Sequence, residues 1–129
     1  MFRKYRSKYP KVGVKWYASA QSADKEVDGV TKEISTRQAY ISCSNPFKLN
    51  ERIDIVIVAP DRELRVKAEV VWSNIYGHDD DITPRGMGVH FLNISNSDKE
   101  FVAEIIEKHC VTKIASDYLA AISGEKDQK

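Results

Sequence analysis

Residues 52–72 constrain this chain more tightly than any other stretch. Arg52–Ala59 (RIDIVIVA) alternates strictly, with Ile53, Ile55 and Ile57 on one face and Val56 and Val58 on the other. Pro60-Asp61 marks a turn, and Glu63–Trp72 (ELRVKAEVVW) returns with Leu64, Val66, Ala68 and Val70 inward. A period of two gathers side chains on one face of an extended strand and scatters them around a helix, so the segment reads as two paired strands.

The same period recurs on both sides. Lys11–Ala18 (KVGVKWYA) places Val12, Val14 and Trp16 on one face, and Gly86–Leu92 (GMGVHFL) aligns Met87, Val89 and Phe91. Val30–Ser35 and Gln38–Ser42 are short β-rich runs around a bend at Thr36-Arg37. Gln21–Gly29, with its acids Asp24, Glu26 and Asp28, reads as a loop, Asn45-Pro46 breaks the strand pattern, and residues 74–85 read as a second polar loop. Helix comes last. Ser97-Asp98-Lys99-Glu100 reads as a capping box ahead of an apolar stripe at Phe101, Val102, Ile105 and Ile106. A second amphipathic stretch, Val111–Ser123, carries Ile114, Tyr118 and Ile122 on one face with Ala115 and Leu119 beside it, and Gly124 ends it. The expectation is a mainly β fold, a six-stranded antiparallel β-barrel with a C-terminal α-helix. Its parts are a basic arm at 1–10, the barrel with its terminal helix at 11–110, and an amphipathic helical extension and tail at 111–129.

With 129 residues the chain holds one domain and folds without a disulfide or a metal. Its near-neutral total charge of +1 hides an asymmetry. Arg3, Lys4, Arg6, Lys8, Lys11 and Lys15 precede the first acid, Asp24, and the rest of the chain carries 14 basic against 19 acidic residues. The near-neutral total argues against a strong polyanion binder as a whole, and the basic arm on a mildly acidic body is the first functional hint. The charged N-terminus lacks the apolar core of a signal peptide, and no apolar run approaches the roughly 20 residues of a membrane helix. A cytoplasmic protein away from membranes is expected, with Cys43 and Cys110 as reduced thiols.

Catalysis is not expected. His109 and Cys110 are adjacent on a helix and do not face each other, no nucleophile motif is present, and Gly86-x-Gly88 lacks the rest of a dinucleotide fingerprint. His78-Asp79-Asp80-Asp81 offers carboxylates to a hard cation, but three adjacent acids do not converge on one ion, so the run reads as a solvated loop and no metal or cofactor is expected. The arm interleaves its cations with Phe2, Tyr5, Tyr9, Trp16 and Tyr17, as a single-strand nucleic-acid binder would, whereas the acidic body and a pI near 7.7 argue against that partner.

The order of the pieces resembles a PilZ domain, the bacterial module that reads the second messenger cyclic di-GMP. The resemblance runs over roughly residues 3–110. It is carried by the basic N-terminal segment, the Glu33-Ile34-Ser35 motif between two short strands, Ala68-Glu69-Val70-Val71-Trp72, and Gly86-Met87-Gly88-Val89-His90-Phe91. It implies a non-enzymatic bacterial receptor or adaptor whose ligand is gripped by two motifs. The first is a pair of arginines four apart in the arm; here Lys4 and Lys8 stand at that spacing, with Arg3 and Arg6 three apart beside them. The second is Asp/Asn-x-Ser-x-x-Gly; here it reads Glu33-Ile34-Ser35-Thr36-Arg37-Gln38, keeping the serine, lengthening the acid and replacing the glycine.

A guanidinium meets guanine O6 and N7 together, whereas lysine is a point charge. Losing two such contacts, at about 1–3 kcal/mol each, weakens binding on the order of 30- to 10,000-fold unless Arg3, Arg6 or Arg37 takes their place. Glu33 and Ser35, two apart on a strand, share a face and both accept guanine N–H groups, while Gln38 puts a side chain where the family has none and crowds the ligand. The expected ligand set is Arg3, Lys4, Arg6, Lys8, Glu33, Ser35, Arg37 and Gln38. The alternative is a degenerate PilZ-like interaction module that has lost cyclic di-GMP. In either case the signal passes to an unidentified protein partner, and the extension from Val111 offers an apolar face to that partner, to a second copy in a homo-oligomer, or to the barrel itself.

Overall fold

Alternating apolar residues leave a sheet with one face that must be hidden, and this chain hides it by closing the sheet on itself. The computed structural model describes residues 10–74 and 85–123, the last fourteen of these as helix backbone only. Its elements are β1 (Lys11–Val12), β2 (Tyr17–Gln21), β3 (Glu26–Ser35), β4 (Gln38–Ser42), β5 (Arg52–Ala59), β6 (Arg62–Ser73), β7 (Gly86–Asn93) and α1 (Asn96–Ser123). All pairings are antiparallel and follow the order β3-β2-β5-β6-β7-β4, with β4 pairing back onto β3. Six strands therefore form a closed barrel, and β1 adds to β3 as an outer strand. The mainly β barrel with a C-terminal helix is the fold that the alternation predicts.

The core is the inner face of that barrel. Ile53, Ile55 and Ile57 meet Leu64, Val66, Ala68 and Val70 from the facing strand and Met87, Val89 and Phe91 from β7, all buried. Val102 and Ile106 of α1 join them, with Phe101 and Ile105 packed alongside. Trp16 meets Phe101 at a ring distance of 6.1 Å. Arg62 pins the helix start, donating from Nη1 to Ser97 O, Ser97 Oγ and Asp98 Oδ1 at 3.1, 3.2 and 2.9 Å while lying over the Phe101 ring.

Several local expectations are corrected. The Lys11–Ala18 run is interrupted between β1 and β2, yet its inward side chains stay in phase. Buried Thr31 fills the break: its hydroxyl donates to Val14 O at 2.6 Å and accepts from Trp16 N at 2.9 Å. Gln21–Gly29 is mostly strand, turning only at Ser22–Lys25, because its acids sit at solvent-facing positions. There Asp28 accepts from the Tyr17 hydroxyl at 2.8 Å. The helix cap is Ser95, not Ser97, since Ser95 Oγ accepts from Asp98 N at 3.0 Å. One continuous helix covers both expected helical stretches, because no glycine or proline interrupts its hydrogen-bond ladder.

Closure depends on two glycines. Ser42 of β4 is opposite Val30 on one side and Gly86 on the other. A Cβ on Gly29 would lie 2.5 Å from Ser42 O, and one on Gly86 would lie 2.3 Å from Ile41 O. Both obstacles are backbone, which cannot swing aside. Gly29→Ala and Gly86→Ala are each expected to destabilise the fold by about 1–3 kcal/mol in urea unfolding. Gly13→Ala, whose Cβ would meet Lys32 O at an ordinary 3.5 Å, is the near-neutral control.

Cys43 is a free thiol near the barrel closure, buried, with Sγ 3.9 Å from Ile41 O. Burial pushes its pKa up from 9.0 to about 11. The folded state then holds this proton more tightly than the unfolded state, so the associated stability is complete below about pH 9 and is lost as pH rises towards 11. Stability measured across that range is expected to fall more steeply in the native protein than in Cys43→Ala.

Candidate functional site

The bend between β3 and β4 gathers the polar residues of the Glu33–Gln38 motif at one place on the barrel. Ser35 holds it. Its Oγ accepts from Arg37 N at 3.1 Å and Gln38 N at 3.0 Å, and donates to Gln38 O at 3.3 Å. The bend is fastened to β7 as well, because Phe91 N donates to Arg37 O at 2.8 Å. Ser35 is 1% exposed and makes the three bonds a hydroxyl can readily make. The expectation that Ser35 turns its hydroxyl to a ligand together with Glu33 therefore meets an obstacle. A register shift between Thr31 and Glu33 breaks the simple alternation, so Glu33 is partly exposed while both Ile34 and Ser35 are buried.

Glu33 pairs with Lys11, Oε2 to Nζ at 3.1 Å, with both side chains partly open to solvent. Lys11 lies directly across from Ser35 in the β1–β3 register, so the arm enters the fold beside this bend. Arg37 is exposed and Gln38 half-buried. Arg3, Lys4, Arg6 and Lys8 lie outside the described residues, as does the His78–Asp81 run.

Sequence reasoning missed an aromatic pair on the outer face near the bend. Tyr40 and Trp72 both stand opposite Gly88 of β7, from β4 and β6 respectively. The glycine leaves the space between them open, and their rings meet at 5.6 Å, tilted by 51°. Tyr40 is buried although it lies outside the core, between the core residues Ala39 and Ile41. The signal for it was slight: Tyr40 stands alone between the polar Gln38 and Ser42 on the outer face of β4. Gln38, two residues from Tyr40, stands opposite His90.

An open groove of about 620 Å³ on the outside of β2, β5 and β6, lined by Ser19, Gln21, Asp54, Arg65 and Lys67, involves none of the bend residues. Among the described residues no group of three His, Cys, Asp or Glu side chains could hold a metal ion, and no helix is long and apolar enough to cross a membrane.

Ser35→Ala would leave the Arg37 and Gln38 amides without their acceptor. It is expected to lower stability by about 1–3 kcal/mol in chemical denaturation, with or without any ligand.

Comparison with known proteins adds a family and a fold. The family model described as PilZ domain matches residues 5–108. No curated protein matches the sequence. Among solved structures, that of the Bacillus subtilis inhibitor of motility (MotI/DgrA) is similar with a TM-score of 0.71 at 16% identity. The match covers 84% of this chain and 53% of that one, so this chain spans about half the length of that structure. At such low identity the likeness is one of fold.

Proposed function

The chain belongs to the PilZ domain family, and from that premise we propose that it is a receptor for cyclic di-GMP that relays the messenger to a partner protein. The observation that carries the reading is the β1–β3 register, Lys11 opposite Ser35, which tethers a basic arm beside a bend rich in acceptors. A chain spans at most about 3.3–3.6 Å per residue, so Lys8 stays within roughly 11 Å of Lys11 and Arg3 within roughly 29 Å. Arg3, Lys4, Arg6 and Lys8 therefore have the reach to meet the two phosphates and the guanine O6 and N7 of a ligand seated at Glu33–Gln38. Arg37, exposed on the bend itself, adds a cation from the barrel side.

Glu33 suits the opposite role. Its ion pair with Lys11 is partly exposed and worth about 0–1 kcal/mol, so a guanine donating N1–H and N2–H to the carboxylate displaces little. Trp72, partly exposed on the same outer surface and backed by the Tyr40 ring, offers an aromatic ring on which a base can stack. Ordering of the arm against the barrel would then change the surface that a partner meets. The helical extension from Val111 is the natural place for such a partner or a second copy.

Calorimetric titration with cyclic di-GMP, against GMP and cyclic AMP as controls, tests the proposal. Selective micromolar or tighter binding is expected, and Arg3→Ala, Arg6→Ala and Glu33→Ala should each weaken it by about tenfold or more. Absence of heat, with no change in melting temperature at high ligand concentration, would leave a PilZ domain acting through protein contacts alone.

A further inference from the structure

One atom at this bend is left without a partner. Among the described residues, Gln38 Oε1 is the buried side-chain oxygen or nitrogen that no hydrogen bond satisfies. Buried acceptors are nearly always paired, because an unpaired one has given up water for nothing. The backbone of Gln38 cannot shift to relieve it, being held on both N and O by Ser35 Oγ. The side chain lies on the outer face of the barrel, next to Ala39 of the core, and is half-buried, so part of the carboxamide arm is open at the bend beside the buried oxygen.

Ser35 has no such opening. Its hydroxyl is fully committed to the bend and closed off from solvent. Besides the part-exposed Thr36 hydroxyl, two sp2 oxygen acceptors of the motif remain for an incoming donor, the partly exposed Glu33 carboxylate and the orphaned Gln38 carbonyl. The Watson–Crick edge of guanine presents N1–H and N2–H donors side by side, whereas adenine presents an acceptor at N1 and no N2 amine. A carboxamide oxygen at this point separates the two bases.

We infer that Gln38 Oε1 accepts an N–H of a guanine edge in place of Ser35, which makes Gln38 a specificity-determining residue of this chain. The inference rests on the proposed function and deepens it. Gln38 was expected in the ligand set and also as a side chain that crowds the ligand; the inference gives it a hydrogen bond, and bonding and crowding differ in sign when the side chain is removed.

The full chain and its Gln38→Gly, Gln38→Leu and Gln38→Glu variants would be titrated with cyclic di-GMP and cyclic di-AMP, with melting curves for each protein without ligand. The expected result is tenfold or greater loss of cyclic di-GMP affinity in Gln38→Gly and Gln38→Leu, together with a narrowed preference over cyclic di-AMP. Gln38→Glu, which keeps an acceptor, should retain the preference. Gln38→Leu should melt at or above the native temperature, since it removes the orphan, and this also verifies that the variant is folded. Equal or tighter binding by Gln38→Gly and Gln38→Leu, with selectivity unchanged, would overturn the inference and leave the receptor reading standing. Failure of the native protein and every variant to bind cyclic di-GMP would overturn both.

Discussion

The barrel closes because β4 fits between two residues without side chains. Gly29 on β3 and Gly86 on β7 flank the backbone of Ile41 and Ser42 so closely that a single methyl group on either would collide with a carbonyl oxygen. Closure removes the exposed edges that an open sheet of this size would carry. It also gives the sheet an inside, so the isoleucines and valines of β5, β6 and β7 face one another and are joined there by Val102 and Ile106 from the first turns of the helix. The β3–β4 bend inherits its rigidity from the same contact, since the two strands it links are also paired with each other.

Buried hydroxyls finish what the strands leave undone. Thr31 bridges the break between β1 and β2, and Ser35 locks the β3–β4 bend; both are almost wholly buried and bonded to backbone on either side of an irregularity. Such groups hold geometry and are not available to a ligand. Other acceptors of the bend are held less tightly, Glu33 in a weak exposed pair and Gln38 with an unpaired oxygen. Binding energy for a donor-rich ligand is naturally found at such points, because contact there replaces a poor interaction and not a good one.

The legible parts of the sequence were those with a long unbroken period. RIDIVIVA, ELRVKAEVVW and GMGVHFL became β5, β6 and β7 with their inward residues as expected, and Phe101, Val102, Ile105 and Ile106 face the core. Less legible were stretches where polar residues belong to a strand. Glu26 and Asp28 looked like loop until the register with β2 put them on the barrel exterior. Phe47, fully buried although it lies in the loop after Asn45-Pro46, has no period to announce it. Ser97 read as the cap, whereas the hydroxyl that takes the Asp98 amide is that of Ser95, two residues earlier.

Local period alone determined the class of fold, the order of its elements and the faces they bury, because a strand and a helix each impose their repeat on neighbours in the chain. The Glu33–Gln38 motif stood out in the chain only through its resemblance to the second PilZ motif. The tertiary structure decided which of its residues are free to act. That Ser35 is sealed, Glu33 loosely held and Gln38 unsatisfied depends on hydrogen bonds within the bend, on Lys11 across β1, and on His90 and Phe91 across β7. Burial is set by what lies across a strand pair, and residues more than fifty positions apart meet here only because the barrel is closed.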